Sequence, residues 1–226
     1  MGIFRSDQEK EKMKEIVIIG AGDLGKEIVW LIEDINKVKP QYVIRGFLDD
    51  NLKKIDSVFF GYKVLGPVEY LSQLARNPLL SAVIAIQDGK TRRKIVEKNP
   101  GFTNWESIIH PTACIASTSA VGEGTVVFPQ VTVSVDSHLG NFGLYYIHST
   151  VCNDCRIGDY VSVMSGVSVS EHSVIGDECF LAAGCTVYPH RTLGNGVVIG
   201  VEATASRDYG DGAEVSEKEK RFFLFK

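Results

Sequence analysis

The sequence predicts a small α/β domain built on a parallel sheet, followed by an all-β domain of stacked triangular coils. Three observations carry this. A short apolar run ends in a glycine-rich turn near the N-terminus, apolar runs then alternate with amphipathic helices, and after Trp105 a six-residue period takes over. The 226 residues and 44% hydrophobic content suffice for two buried cores.

Residues 1–13 include Asp7, Glu9, Lys10, Glu11 and Lys12, lack the apolar centre of a signal peptide and are read as a solvated leader. Met1-Gly2-Ile3-Phe4-Arg5-Ser6 also fits the loosely specified N-myristoylation pattern. Ile16 to Ile19 is continuously apolar, as a strand buried on both faces must be. Gly20-Ala21-Gly22-Asp23-Leu24-Gly25 supplies a tight turn, after which Ile28, Val29, Leu31, Ile32 and Ile35 recur at helical spacing. A second strand from Tyr42 to Leu48 ends in Asp49-Asp50-Asn51. A hairpin-like stretch around residues 61–66, a helix from about Pro67, a strand from Ala82 to Ile86 and a charged helix from Thr91 complete the domain, residues 14–104.

From residue 105 the hexads begin. Stepping by six from Ile115 to Ile199 visits fifteen positions, and all but Tyr145 are Ile, Leu or Val. Four residues after each stand mostly small or β-branched side chains, among them Ser119, Thr125, Ser137, Cys155 and Cys185. Two inward positions in six describe a flat face and a tight corner, and three faces close a coil of 18 residues, giving about five coils over residues 105–208. Gly122, Gly140, Gly158, Gly176 and Gly194 recur at that same interval, each followed by Glu, Asn or Asp, as one corner column requires. Residues 209–226 form a tail ending in Phe222-Phe223-Leu224-Phe225-Lys226, expected to dock on a wall or a neighbour.

Composition narrows the function. The 24 basic against 28 acidic residues give a net charge of -4, so there is no global basic field for nucleic acid. No apolar run approaches the roughly 18 residues of a membrane helix. Five cysteines are an odd number in a chain too large to need staples, which fits free thiols and a cytoplasmic location. Cys152-Asn153-Asp154-Cys155 is a lone CxxC that the hexads assign to a packed wall. The GxGxxG turn between strand and helix suits phosphate, and Asp49 suits a ribose or base donor. Residues 14–104 have room for one mononucleotide half and none for a nicotinamide half, so a mononucleotide or nucleotide-sugar is expected.

The two domains in this order resemble the sialic acid O-acyltransferase type of sugar acyltransferase, which includes N-acetyltransferases of nucleotide-linked 4-amino-sugars for surface glycans and O-antigens. The landmarks are Ile18-Ile19-Gly20-Ala21-Gly22-Asp23-Leu24-Gly25, Gly46-Phe47-Leu48-Asp49-Asp50, Ile84-Ala85-Ile86-Gln87-Asp88, Ile109-His110-Pro111-Thr112-Ala113 and the hexads. The resemblance implies a Rossmann-like lobe and a left-handed parallel β-helix, with homotrimers whose ligand cleft lies between neighbouring prisms. It implies acetyl-CoA or another acyl-CoA as co-substrate and no metal. It places the nucleotide at Gly22, Asp23, Leu24, Asp49 and Asp50, with Gln87 where the family usually has glycine. It places acyl-CoA at Ser162, Gly166, Glu171, Ala183, Gly184 and Val201.

The prism departs from the family at the chemistry. Asn153 stands where the family's general-base histidine stands, and a second family histidine falls at Ser162. An amide cannot accept the proton that N-acylation releases. Glu171 replaces the glycine whose N–H polarises the thioester, although its backbone donor is retained. Asp136, Asp154, His172 and His190 are spaced by 18 and stack in one corner column, where Asp154 could orient His172 as a substitute base; a solvated corner histidine is the other reading of that position. His148, in the column of Gln130, Gly166 and Gly184, and bulk water remain alternatives. His110 is read as structural and His138 as a surface residue. A nucleotide-sugar-binding trimer that has lost its chemistry is the competing reading. A metal enzyme such as a γ-class carbonic anhydrase would need a different histidine spacing.

Overall fold

The computed structural model describes residues 13–74, 77 and 79–216. The leader over 1–12 and the aromatic end of the tail lie outside the described residues. Two compact units divide the chain, one comprising residues 1–87 and 91–111, the other 88–90 and 112–226. Among the described residues no helix is long and apolar enough to cross a membrane.

In the first unit, β1 (Lys14–Ile19) lies between β2 (Tyr42–Leu48) and β5 (Leu80–Ile84), parallel to both. The rest of the sheet is β4 (Tyr62–Gly66), parallel to β2, and β3 (Val58–Phe59), antiparallel to β4, so the order is β3-β4-β2-β1-β5. Ile16 to Ile19 are 0% exposed, which the continuous apolar run demands of a central strand covered on both faces. Helix α1 (Asp23–Val38) buries Ile28, Val29, Leu31, Ile32 and Ile35. The helix expected from Pro67 is a 3-10 turn, Val68–Tyr70, leading into the four-residue α2 (Leu71–Leu74). Helix α3 is Gly89–Lys98. The strand expected to reach Ile86 stops at Ile84, because its ladder partner β1 ends at Ile19 opposite it; beyond, buried Arg92 donates from Nη1 to the carbonyls of Ile86 (2.9 Å) and Gln87 (2.8 Å).

The second unit is a prism. One wall stacks Cys114–Ile115, Thr132–Val133, Thr150–Val151, Ser168–Val169, Thr186–Val187 and Thr204–Ala205, all parallel and in register at 18 residues. A second stacks Ala120–Val121, His138–Leu139, Arg156–Ile157, Val174–Ile175 and Thr192–Leu193. The third runs from Val126–Val127 through Leu144–Tyr145 and Ser162–Val163 to Val198–Ile199, then to Glu214–Val215. The last step is 16 residues, not 18, and Tyr209 bridges to Leu193, so residues read as the start of a tail belong to the wall.

From Gly124 to Glu202 each corner turns on one residue with φ between 54° and 69°, in three columns: Gln130, His148, Gly166, Gly184 and Glu202; Asp136, Asp154, His172 and His190; Gly124, Phe142, Tyr160, Glu178 and Gly196. A left-handed residue other than glycine costs about 1–2 kcal/mol, and ring stacking such as Phe142 on Tyr160, centroids 5.1 Å apart, offsets part of it. The periodic glycines are not these corners. A Cβ on Gly122, Gly140, Gly158, Gly176 or Gly194 would meet the next coil within 3.0 Å, so close backbone approach is the requirement. The residue after each glycine builds a ladder: Asn141 Oδ1 accepts from Glu123 N, Asp159 Oδ1 from Asn141 N and Asp177 Oδ1 from Asp159 N. Inside, Ser137 Oγ accepts from Cys155 N at 3.0 Å and donates to Cys152 O at 2.7 Å, satisfying a buried hydroxyl between coils.

Candidate active site and nucleotide cavity

The carboxyl ends of β1, β2 and β5 meet where the strand order reverses, the usual position of a ligand crevice in such a sheet. A cavity of about 1110 Å³ opens there, and Gly22, Asp23, Leu24, Asp49, Asp50 and Gln87 all line it. Gly22 caps α1 without a side-chain hydrogen bond, which leaves the positive end of the helix dipole for an anion. Space around Gly22 is open, whereas a Cβ on Gly25 would strike the Gly20 carbonyl and Phe47. Gly22 thus admits a ligand and Gly25 admits the strand–helix packing.

The acidic pair is already engaged. Asp49 Oδ2 accepts from Ala21 N (2.8 Å) and Lys54 Nζ (3.0 Å), and Oδ1 accepts from Asn51 N (2.9 Å). Burial pulls its pKa upward, but the hydrogen bonds from Asn51, Lys54 and Ala21 outweigh burial and leave it below the ordinary carboxylate value. Asp50 Oδ1 accepts from Val68 N at 2.8 Å and starts the 3-10 turn. Both carboxylates shape the cavity wall. Sequence reasoning missed Lys54, Lys94 and Lys98, which add positive charge to the same cavity. The signal for the last two was present: Lys94 and Lys98 are one turn apart on α3. Arg92 is 2% exposed, which nothing in the charged sequence of its helix signals.

On the prism, Asn153, Asp154 and His172 come together. Asn153 Nδ2 donates to Asp154 Oδ2 at 2.7 Å, and His172 Nε2 lies 3.9 Å from that oxygen. His172 N donates to Asn153 O at 3.0 Å, tying the two coils. A carboxylate only accepts, so the Asn153 amide must turn its NH2 to Asp154 and keep Oδ1 as a free acceptor. His190 stacks on His172 with centroids 4.7 Å apart and planes at 7°. Glu171, partly exposed, precedes His172 in this edge. The other edge of the same wall holds His148, Gly166 and Gly184, with Ala183 and Val201 adjoining, all exposed. His148 is therefore not brought to Asn153 within one chain. Ser162 is 1% exposed and lies in the third wall, so it presents no hydroxyl to solvent.

His110 packs against α1, its Nε2 3.5 Å from Asp34 Oδ2 and its ring 6.1 Å from Trp30. All five cysteines are free. Burial pushes the thiols of Cys152 and Cys155 up, that of Cys179 up to about 11 and that of Cys185 to about 12, which keeps them protonated and unreactive.

Comparison with known proteins agrees with both halves. Residues 15–99 match the PglD N-terminal domain, and residues 148–188 match the bacterial transferase hexapeptide family of six repeats. UDP-N-acetylbacillosamine N-acetyltransferase of Bacillus subtilis is 27% identical over 117 residues, 51% of this chain and 51% of that protein. The match thus spans about half the length of the curated relative. The acetyltransferase domain of PglB from Neisseria gonorrhoeae, in complex with acetyl coenzyme A, superposes with a TM-score of 0.79 at 27% identity, covering 89% of this chain and 95% of that one. A histidine-to-asparagine mutant of perosamine N-acetyltransferase from Caulobacter crescentus, in complex with CoA and GDP-perosamine, gives 0.79 at 25% identity, covering 88% and 92%. The prism is the left-handed parallel β-helix of hexapeptide-repeat proteins.

Proposed function

We propose that this protein transfers an acyl group, acetyl in the first instance, from coenzyme A to the amine of a nucleotide-linked amino-sugar, as a trimer in the cytoplasm. The observation that carries the reading is the pairing of one nucleotide-sized cavity at a helix N-terminus with a hexapeptide prism, the build shared by the sugar N-acetyltransferases above. In this reading the uncapped start of α1, with Lys94 and Lys98, binds the diphosphate. Gly22, Asp23 and Leu24 contact it, and Asp49 and Asp50 hold the loops that enclose the nucleoside. Gly166, Ala183, Gly184 and Val201 line the path of the pantetheine arm, and the N–H of Glu171 faces the thioester. Asn153 Oδ1 accepts a hydrogen bond from the sugar amine and aims its lone pair at the carbonyl carbon. Ser162, 1% exposed, is given no part in this reading.

Calorimetry with acetyl-CoA, UDP-N-acetylbacillosamine and GDP-perosamine, followed by mass spectrometry of the mixtures, tests the reading. Binding of acetyl-CoA and one sugar nucleotide, with a product one acetyl group heavier, is expected. Failure to bind either class would remove it. Asn153 also favours a second reading, a binding protein without chemistry; binding of both ligands with no product, even after Asn153→His, would establish that one.

A further inference from the structure

The acyl-transfer reading leaves a proton without a destination, because Asn153 cannot take it. Resting on that reading, we propose that His172 is the proton acceptor and that Asp154 and His190 hold its ring for the purpose. Asp154 lies below the ring, with Oδ2 3.9 Å from Nε2, and His190 lies parallel above it at 4.7 Å. Neither ring nitrogen of His172 is hydrogen-bonded to a described residue. The tautomer that puts N–H on Nε2, on the side of the carboxylate, leaves the lone pair on Nδ1. The side chain is 47% exposed, open to a substrate, and its backbone is bonded to that of Asn153, whose Oδ1 is the acceptor for the amine.

The other charged groups around this column are Glu171, adjacent in sequence, Arg191 beyond His190, Asp136 one coil below Asp154, and Arg156, whose Nη1 donates to Asp136 O at 2.9 Å. Arg191 Nη1 is engaged 3.8 Å from Asp208 Oδ1. His148, by contrast, sits on the other edge, and no described residue bonds its ring.

The step balances. The amine nitrogen forms a C–N bond to the thioester carbonyl carbon, the C–S bond breaks, and the N–H proton passes to His172 Nδ1. It then goes to the departing thiolate, giving the amide and free CoA thiol. Asp154 supplies the counter-charge to the imidazolium formed in between.

The test uses the full chain with GDP-perosamine or UDP-N-acetylbacillosamine, whichever it acetylates. Because residue 172 has φ 57°, the informative variants are His172→Asn and His172→Gly, which tolerate that backbone, and not alanine. His172→Asn should lower kcat by about 10²–10⁴-fold with both KM values unchanged. Added imidazole should restore turnover to His172→Gly. Asp154→Asn should lower kcat less and leave imidazole without effect. Wild-type kcat in His172→Asn, or no rescue of His172→Gly by imidazole, would overturn the proposal while leaving the transferase reading intact. A silent wild type that becomes active as Asn153→His would overturn it also, showing that this chemistry needs the residue the chain lacks. Silence in both, with both ligands bound, would overturn the transferase reading and the proposal together.

Discussion

Asp49 illustrates how a residue at the right place in a motif acquires a different task once its neighbours are known. At 14% side-chain exposure it holds the Ala21 and Asn51 N–H groups and the Lys54 ammonium, so its loss should unfasten the glycine turn. Asp49→Asn is expected to cost about 1–3 kcal/mol of stability, the range for a hydrogen bond to a buried charge. The pH dependence has a definite sign. Its folded pKa is depressed, so the stabilisation is complete above the unfolded value, about 3.9, and is lost as pH falls through the folded value. The gap in melting temperature between wild type and Asp49→Asn should be constant near neutrality and close in acid. A gap that persists in acid would refute the ionic account. None of this was legible in the sequence, because Asp49 and Lys54 are ordinary loop residues until the loop folds. The positions of Asn153, Asp154 and His172 were legible, since a period of 18 stacks them without reference to side-chain conformation. The Asn153–Asp154 hydrogen bond was not, because it lies along the corner and has no period.

At the scale of elements, glycines of one type serve three purposes. Gly158→Ala drives a methyl group into the next coil and should cost several kcal/mol, since neither the Asp177 ladder nor the backbone can give way. Gly22→Ala meets no atom within 4 Å and has φ -124°, so melting temperature should hold while nucleotide binding weakens. Gly25→Ala should lose both. Thermal melts with and without UDP and GDP separate the three, and equal behaviour of Gly22→Ala and Gly25→Ala would refute this division. The walls were readable because the inward position recurs every six residues, and even the one exception, Tyr145, is apolar enough to be fully buried there. The left-handed corners at Phe142 and Tyr160 were not, because nothing in an aromatic residue announces positive φ. The end of β5 is not readable for a similar reason: Ile86 continues the apolar run, whereas the ladder stops where its partner β1 ends at Ile19.

For the whole molecule, the two edges that carry the proposed site border the same wall, the one presenting Thr132, Thr150, Ser168, Thr186 and Thr204. One edge has Asn153, Asp154 and His172; the other has His148, Gly166 and Gly184. A cleft that uses both edges of one flat wall needs one edge from each of two copies. Such a head-to-tail contact between identical chains closes on itself only as a ring. The expected ring is a trimer, and sedimentation equilibrium should return three times the 24.8 kDa of the chain. Mass alone does not show that sites are shared, so complementation is the sharper test. Ala183→Trp obstructs one edge and His172→Asn disables the other, and each variant alone should be inactive. Mixed, unfolded and refolded together, they should regain turnover, because some interfaces then pair an intact edge from each variant. A monomer, or a mixture as inactive as its components, would mean that each site is completed within one chain.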